Sequence, residues 1–146
     1  MAITSAICNS FKQEILEAEH NLTASTGNTF NLALYDSAAP LGAGTTAYTT
    51  SEEITNTSGT AYTAKGKALT SVTPTLDSST AVCDFADVSW TSASFTARGC
   101  LIFNDSHSTD AAVCAIDFGG DKTATSGPFT IQFPAAAAST AIIRIA

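Results

Sequence analysis

The stretch Ser94-Phe-Thr-Ala-Arg-Gly-Cys-Leu-Ile-Phe-Asn-Asp-Ser-His-Ser-Thr-Asp-Ala-Ala-Val-Cys-Ala-Ile-Asp-Phe118 decides the fold class. Two runs rich in aromatic and branched residues, 94–104 and 111–118, flank Asp105-Ser-His-Ser-Thr-Asp110, a string of short polar turn formers. The spacing predicts two antiparallel strands joined as a hairpin. Moving outward, Gly119-Gly-Asp-Lys-Thr-Ala-Thr-Ser-Gly127 reads as a further turn, followed by a strand over 128–133 that Pro128 and Pro134 bracket. Strands are also expected at 81–85 and 141–145. Earlier in the chain, Phe30-Asn-Leu-Ala-Leu-Tyr-Asp36 alternates with period two: Phe30, Leu32 and Leu34 point one way, Asn31, Ala33 and Tyr35 the other.

The remaining segments are less regular. Residues 36–44 hold Asp, Ser, Pro and glycines and read as a loop. The polar tract 45–76 is expected to hold strands near 48–54 and 67–73, or to form a long exposed loop or arm. Near the N-terminus Ile7, Phe11 and Ile15 recur every four residues, which predicts an amphipathic helix over about residues 5–18 with Ser5 as its N-cap. About eight short strands with one N-terminal helix predict a mainly β, single domain over residues 1–146, built as an antiparallel sandwich or barrel.

Composition narrows the function classes. Charged residues make up 13% of the chain and hydrophobic residues 45%, against the roughly 25% charge of an average soluble domain. Hydroxyls supply the missing polarity, with 23 Thr and 16 Ser among 146 residues. Disorder needs more charge and fewer apolar residues, so it is excluded. Six Lys plus Arg against 13 Asp plus Glu leave a net charge of −7, and the cations are scattered. That pattern argues against nucleic-acid binding and against docking to anionic lipid. No apolar run approaches the roughly 20 residues of a spanning helix. The first residues show neither the basic start nor the apolar stretch of a signal peptide, so synthesis in the cytoplasm without export is expected.

Candidate chemistry is sparse. Cys8, Cys83, Cys100 and Cys114 form no Cys-x-x-Cys pair and lack a histidine at zinc spacing, so they are expected to be buried small hydrophobes and no metal is expected. A hydrolytic triad would have to use His20 or His107, and His107 falls in a turn, where sequence neighbours seldom align as nucleophile, base and orienting acid. Asp117-Phe-Gly matches a kinase tripeptide without the rest of the kinase set. The scattered Asp residues do not form an EF-hand calcium loop. No catalytic residue and no cofactor is assigned.

The stretch Trp90-Thr-Ser-Ala-Ser-Phe-Thr-Ala-Arg-Gly-Cys-Leu-Ile-Phe-Asn104, with Ala115-Ile-Asp-Phe-Gly-Gly-Asp-Lys122, Phe129-Thr-Ile-Gln-Phe-Pro134 and Ala141-Ile-Ile-Arg-Ile-Ala146, resembles small virion structural proteins of tailed bacteriophages. The openings Ser10-Phe-Lys-Gln-Glu-Ile-Leu16, Asn31-Leu-Ala-Leu-Tyr35 and Thr46-Ala-Tyr-Thr49 share that resemblance, which spans nearly the whole chain. It implies a virion location, many copies, self-association or attachment to other virion subunits, and no enzyme activity. The leading expectation is a homo-oligomeric capsid decoration or cement protein bound to the major capsid protein, with Phe11 and Ile15 of the helix and the tract 45–76 as contact surfaces. A tail, neck or fibre-associated structural protein comes second. A carbohydrate-binding sandwich comes third; it would need exposed aromatic platforms from Trp90, Tyr35, Tyr48 and Tyr62.

Overall fold

A computed structural model describes residues 2–54 and 60–146. It is mainly β, with two antiparallel sheets and one short helix, as the sequence leads one to expect. In chain order the elements are β1 (Ala6–Ile7), α1 (Asn9–Leu16), β2 (Phe30–Tyr35), β3 (Lys67–Ala68), β4 (Ser71–Asp77), β5 (Thr80–Phe85), β6 (Val88–Asn104), β7 (Ala111–Ile131) and β8 (Ile143–Ile145). One sheet runs β1-β7-β6-β2-β3 and the other β4-β5-β8.

The expected hairpin is the spine. β6 and β7 pair from Asn104↔Ala111 at the turn to Val88↔Ile131 at the far end. The glycine-rich segment 119–127, expected as a turn, is instead strand, because its residues pair across to β6: Ala97↔Lys122, Thr96↔Thr123, Phe95↔Ala124 and Ala93↔Gly127. Its punctuation is absorbed by irregularities in the ladder. Register shifts fall between Trp90 and Ala93 and between Ala97 and Gly99, and Ser92, Gly119 and Ser126 take positive φ beside them. The strand expected at 128–133 is thus the last part of β7, not a separate one.

Both faces of the large sheet are covered, so β2 and the facing part of β6 are buried almost throughout. Cross-strand partners share a face, which groups Phe30, Leu32 and Leu34 with Asn104, Ile102 and Cys100. Phe30 meets Phe85 of the second sheet at 5.9 Å between ring centres, placing this face inside the sandwich. On the opposite face Phe103 stacks on Tyr48 at 4.8 Å. Gly99 sits where β7 crowds β6: a Cβ there would lie 2.3 Å from the Ile116 carbonyl oxygen and 2.7 Å from the Ile3 side chain.

Residues 48–54 are not the strand that was expected. They touch the edge of β2 through one bridge, Tyr35↔Glu53, and the Ile54 N–H donates to the Leu34 carbonyl at 2.9 Å. Tyr62 is buried against the same edge, so residues 48–54 and Tyr62 lie against the sheet instead of forming a free arm. Residues 55–59 lie outside the described residues. The expected strand at 67–73 is two elements, β3 and β4, in different sheets. The last strand is also shorter than expected.

The helix is shorter than expected because Ala6 and Ile7 pair with Ala115 and Cys114, leaving no helical turn before Asn9. Cys8, not Ser5, occupies the N-cap position, and Ser5 Oγ accepts the Asp117 N–H at 2.8 Å. Among the described residues no helix is long and apolar enough to cross a membrane.

Candidate functional site

Three places bring side chains together in ways the sequence does not announce. The first is a polar junction under α1. His20 is buried; its Nε2 lies 2.8 Å from Glu14 Oε2 and its Nδ1 3.0 Å from Asn104 Nδ2. The Asn104 amide also donates to Asn28 Oδ1 at 3.2 Å, while its oxygen accepts the Ser106 N–H at 3.0 Å. Those contacts orient the amide, so the His20 ring must accept at Nδ1 and carry its proton at Nε2, where it donates to Glu14. His107 stacks over His20 at 6.1 Å, and its Nε2 is 3.5 Å from Glu19.

A histidine oriented by a carboxylate is half of a catalytic dyad, and a dyad needs a nucleophile within hydrogen-bond reach. The partners of His20 are Glu14 and Asn104, neither of them a nucleophile of that kind. Thr109 presents its hydroxyl to His107 Nδ1 at 3.0 Å, a pair of turn neighbours and not the nucleophile, base and orienting acid in order. The same nitrogen accepts the Thr109 N–H at 3.3 Å, which marks the contact as one that shapes the turn. The four thiols are free and buried, as expected. Desolvation pushes Cys8 up to about 11 and Cys83 up to about 12, and raises Cys100 and Cys114 as well. All four are therefore protonated at neutral pH and poor nucleophiles.

The second cluster is built on Glu53. Its Oε1 accepts the Tyr62 hydroxyl and the Lys65 N–H, each at 2.7 Å, and its Oε2 accepts the Tyr48 hydroxyl at 2.6 Å. Tyr62 in turn accepts the Leu34 N–H at 2.9 Å, extending the sheet edge through a side chain. Burial, then the bond to Glu53, pushes the Tyr48 hydroxyl up to about 12, and burial raises Tyr35 and Tyr62 further. The Lys65 ammonium bridges Asp110 at 2.8 Å and Asp105 at 2.9 Å, which raises its pKa and fastens this tract to the β6–β7 turn. Sequence gives no cue to Glu53, because its partners are single residues in no motif.

The third is a cleft of about 420 Å³ between the C-terminal end of α1 and the three-stranded sheet, lined by Ile15, Leu22, Pro74, Cys83, Ile143 and Ile145 among others. It is mostly apolar and open to solvent. Of the two residues expected to make subunit contacts, Ile15 lines it. Phe11 does not: it is 2% exposed and lies 4.8 Å from His20, so it anchors the helix to the core. A second cleft, of about 610 Å³, is lined by Cys100, Ile116, Phe118, Ile131, Phe133 and Ile142 among others.

Among the described residues no group of three or more His, Cys, Asp or Glu is placed to hold a metal ion. Trp90, Tyr35 and Tyr62 are buried, and Tyr48 is half-buried with its hydroxyl on Glu53, so none of these four rings is a platform for a sugar. The fold and these clusters define a class: a two-sheet β module whose polar junctions hold its own segments together. Searches of protein-family models, curated proteins and solved structures found no match.

Proposed function

We propose that this chain is a non-enzymatic structural subunit of a tailed-bacteriophage particle, and within that class a capsid decoration or cement protein. The observation that carries the binding role is apolar surface gathered in one place. Ile145, 54% exposed, lines the cleft between α1 and the second sheet beside Ile15 and Ile143, and Leu76, 73% exposed, shares a cross-strand row with it through Ala81. Grouped exposed hydrophobes mark a surface that another protein covers. The sequence resemblance supplies the particle. The low charge and hydroxyl-rich surface suit a subunit packed in many copies, since Ser and Thr form bonds at small side-chain entropy cost. In this reading the protein is made in the bacterial cytoplasm, self-associates or binds the major capsid protein, and stabilises the shell by burying surface, with no bond chemistry and without contacting DNA or membrane.

Quantitative mass spectrometry of purified phage particles, with cryo-electron microscopy of the same sample, tests this. Hundreds of copies on the shell are expected. A handful of copies at the tail or neck would move the protein to the tail class, and absence from particles would remove the virion role altogether.

A further inference from the structure

The His20 side chain is fully buried, and two backbone N–H groups decide which of its charge states the surroundings accept. The Asn21 N–H donates to Asn28 Oδ1 at 2.6 Å, and the Ser106 N–H donates to Asn104 Oδ1 at 3.0 Å, so both amide oxygens are fixed. Asn104 Nδ2 must then give its hydrogens to Asn28 Oδ1 at 3.2 Å and to His20 Nδ1 at 3.0 Å. Asn104 thus presents a donor, not an acceptor, to the imidazole. His107, stacked on His20 at 6.1 Å, repeats the arrangement, because its Nδ1 accepts the Thr109 N–H at 3.3 Å. A second proton on either ring, at Nδ1, would point at an N–H group and lose the bond made there.

The other groups around the two rings serve a charged imidazole unequally. Glu14 of α1, 2.8 Å from His20 Nε2, accepts the same proton in either state and attracts the charged ring more. Glu19, 3.5 Å from His107 Nε2 and itself half exposed, adds a pair of little worth. Asp105 and Asp110, at the ends of the turn, are held by Lys65. Cys83 of β5 lines the same cleft as His20 and is uncharged in acid, while α1 and β2 also bring the uncharged rings of Phe11 and Phe30. A charged His20 is therefore drawn to Glu14 on one side and mismatched with Asn104 on the other, and two charged rings 6.1 Å apart repel.

We infer that the His20–Asn104 contact is an acid-released clasp: on gaining a proton at Nδ1, His20 stays with Glu14 on α1 and lets go of Asn104. To accept that proton the Asn104 amide has to rotate, which sets its NH2 against the Ser106 N–H and takes a donor from Asn28. The segment after α1 is thereby uncoupled from the end of β6. The remaining ties of the turn to Thr29, the Asp105 N–H on its carbonyl at 2.9 Å and its own N–H on Ser106 Oγ at 2.8 Å, involve neither ring and persist. Imidazoles change charge between about pH 5 and pH 8, so mild acid is the trigger. Ala18, His20, Asn21 and Leu22 line the cleft beside α1, so release alters the surface given above to a partner. That consequence rests on the proposed function; the clasp itself does not.

Magnetic resonance of the full chain, labelled with nitrogen-15 and titrated from pH 7.5 to pH 5, tests the clasp. His20 should gain its second ring proton in that range. The Ser106 N–H should then lose about tenfold in protection from hydrogen exchange, after correction for the intrinsic rate, while the Asp105 N–H keeps its own. His20→Asn puts an amide oxygen in place of Nδ1 and does not titrate, so it should remove the loss. If a thermal melt shows that this variant fails to fold, Asn104→Asp decides: a carboxylate accepts both the Ser106 N–H and a proton on Nδ1, so acid should leave Ser106 protected. A His20 ring that keeps a single proton at pH 5 overturns the proposal. So does Ser106 protection that holds once the ring is charged, or that falls equally in the variants, which would be general loosening by acid. Absence of the chain from phage particles would remove the partner and leave the clasp standing, whereas a shell subunit whose His20 never titrates does the reverse.

Discussion

His20 and Asn104, 84 positions apart in sequence, meet inside the protein with the imidazole Nδ1 accepting the amide N–H at 3.0 Å. One bond thereby joins the segment after α1 to the end of β6, and Glu14, Asn28 and Ser106 hold its two partners in orientation. Replacing Asn104 by Ala strands the buried Nδ1 and frees the Ser106 N–H, so Asn104→Ala should cost about 2–3 kcal/mol in urea unfolding. Nitrogen-15 correlation spectra of the native protein should show His20 with its proton on Nε2. The opposite tautomer would mean that the amide is turned the other way.

Glu53 does for the sheet edge what a strand would otherwise do. It takes three donors from Tyr48, Tyr62 and Lys65, and Tyr62 passes the connection on to the Leu34 backbone. Glu53→Ala should therefore cost about 2–4 kcal/mol, with limited proteolysis moving first to the 49–66 tract. An unchanged midpoint and cleavage pattern would show that water replaces the carboxylate at no cost.

What the sequence made legible was periodic. β2, β5 and the turn-proximal part of the β6–β7 hairpin follow from alternation and turn residues, because each is fixed by neighbours close in the chain. The segment 119–127 misleads for a physical reason. Glycine and serine signal a turn only where the chain reverses, and here positive φ at Gly119 and Ser126 serves bulges in a strand whose partner is β6. Residues 48–54 mislead in another way, since this mostly polar stretch, with Tyr48 and Ile54 its only apolar residues, lies along a sheet edge with little strand pairing. The His20 and Glu53 junctions were invisible, being made of lone polar residues whose meaning lies in the contacts they reach. Phe11 and Ile15, read together as contact residues, are separated only by burial.

That separation is measurable. Phe11 is fully packed, so Phe11→Ala should cost about 3–5 kcal/mol, whereas Leu16→Ser, on the same helix and 87% exposed, should change stability by less than about 0.5 kcal/mol. Equal effects at the two positions would mean that the helix does not dock through Phe11.

Gly99 and Gly120 offer a second contrast within the paired strands. At Gly99 a methyl group collides with backbone, the Ile116 oxygen at 2.3 Å, while at Gly120 nothing lies within 4 Å. Gly99→Ala should lower stability by about 2–3 kcal/mol and Gly120→Ala by no more than about 0.5 kcal/mol. Matching midpoints for the two variants in thermal melts would disprove the close approach of β7 at Gly99.

Alkaline pH should unfold this protein earlier than its modest charge suggests. Burial raises Cys8 from 9.0 to about 11 and Cys83 from 9.0 to about 12, and Tyr48 rises from 10.0 to about 12. A raised folded pKa means that the unfolded chain loses its protons first as pH climbs, so it binds fewer protons than the native state and stability falls with pH. The contribution is therefore whole below about pH 9, where both states are protonated, and declines through pH 9–12. Each buried thiol steepens the fall by about 1.4 kcal/mol per pH unit inside that window. Urea midpoints measured under reducing conditions at pH 8, 9, 10 and 11 should drop progressively. Cys83→Ala should start lower, from its lost packing, but decline less steeply; parallel slopes for the variant and the unmodified chain would show that the Cys83 thiol is reached by water in the native state.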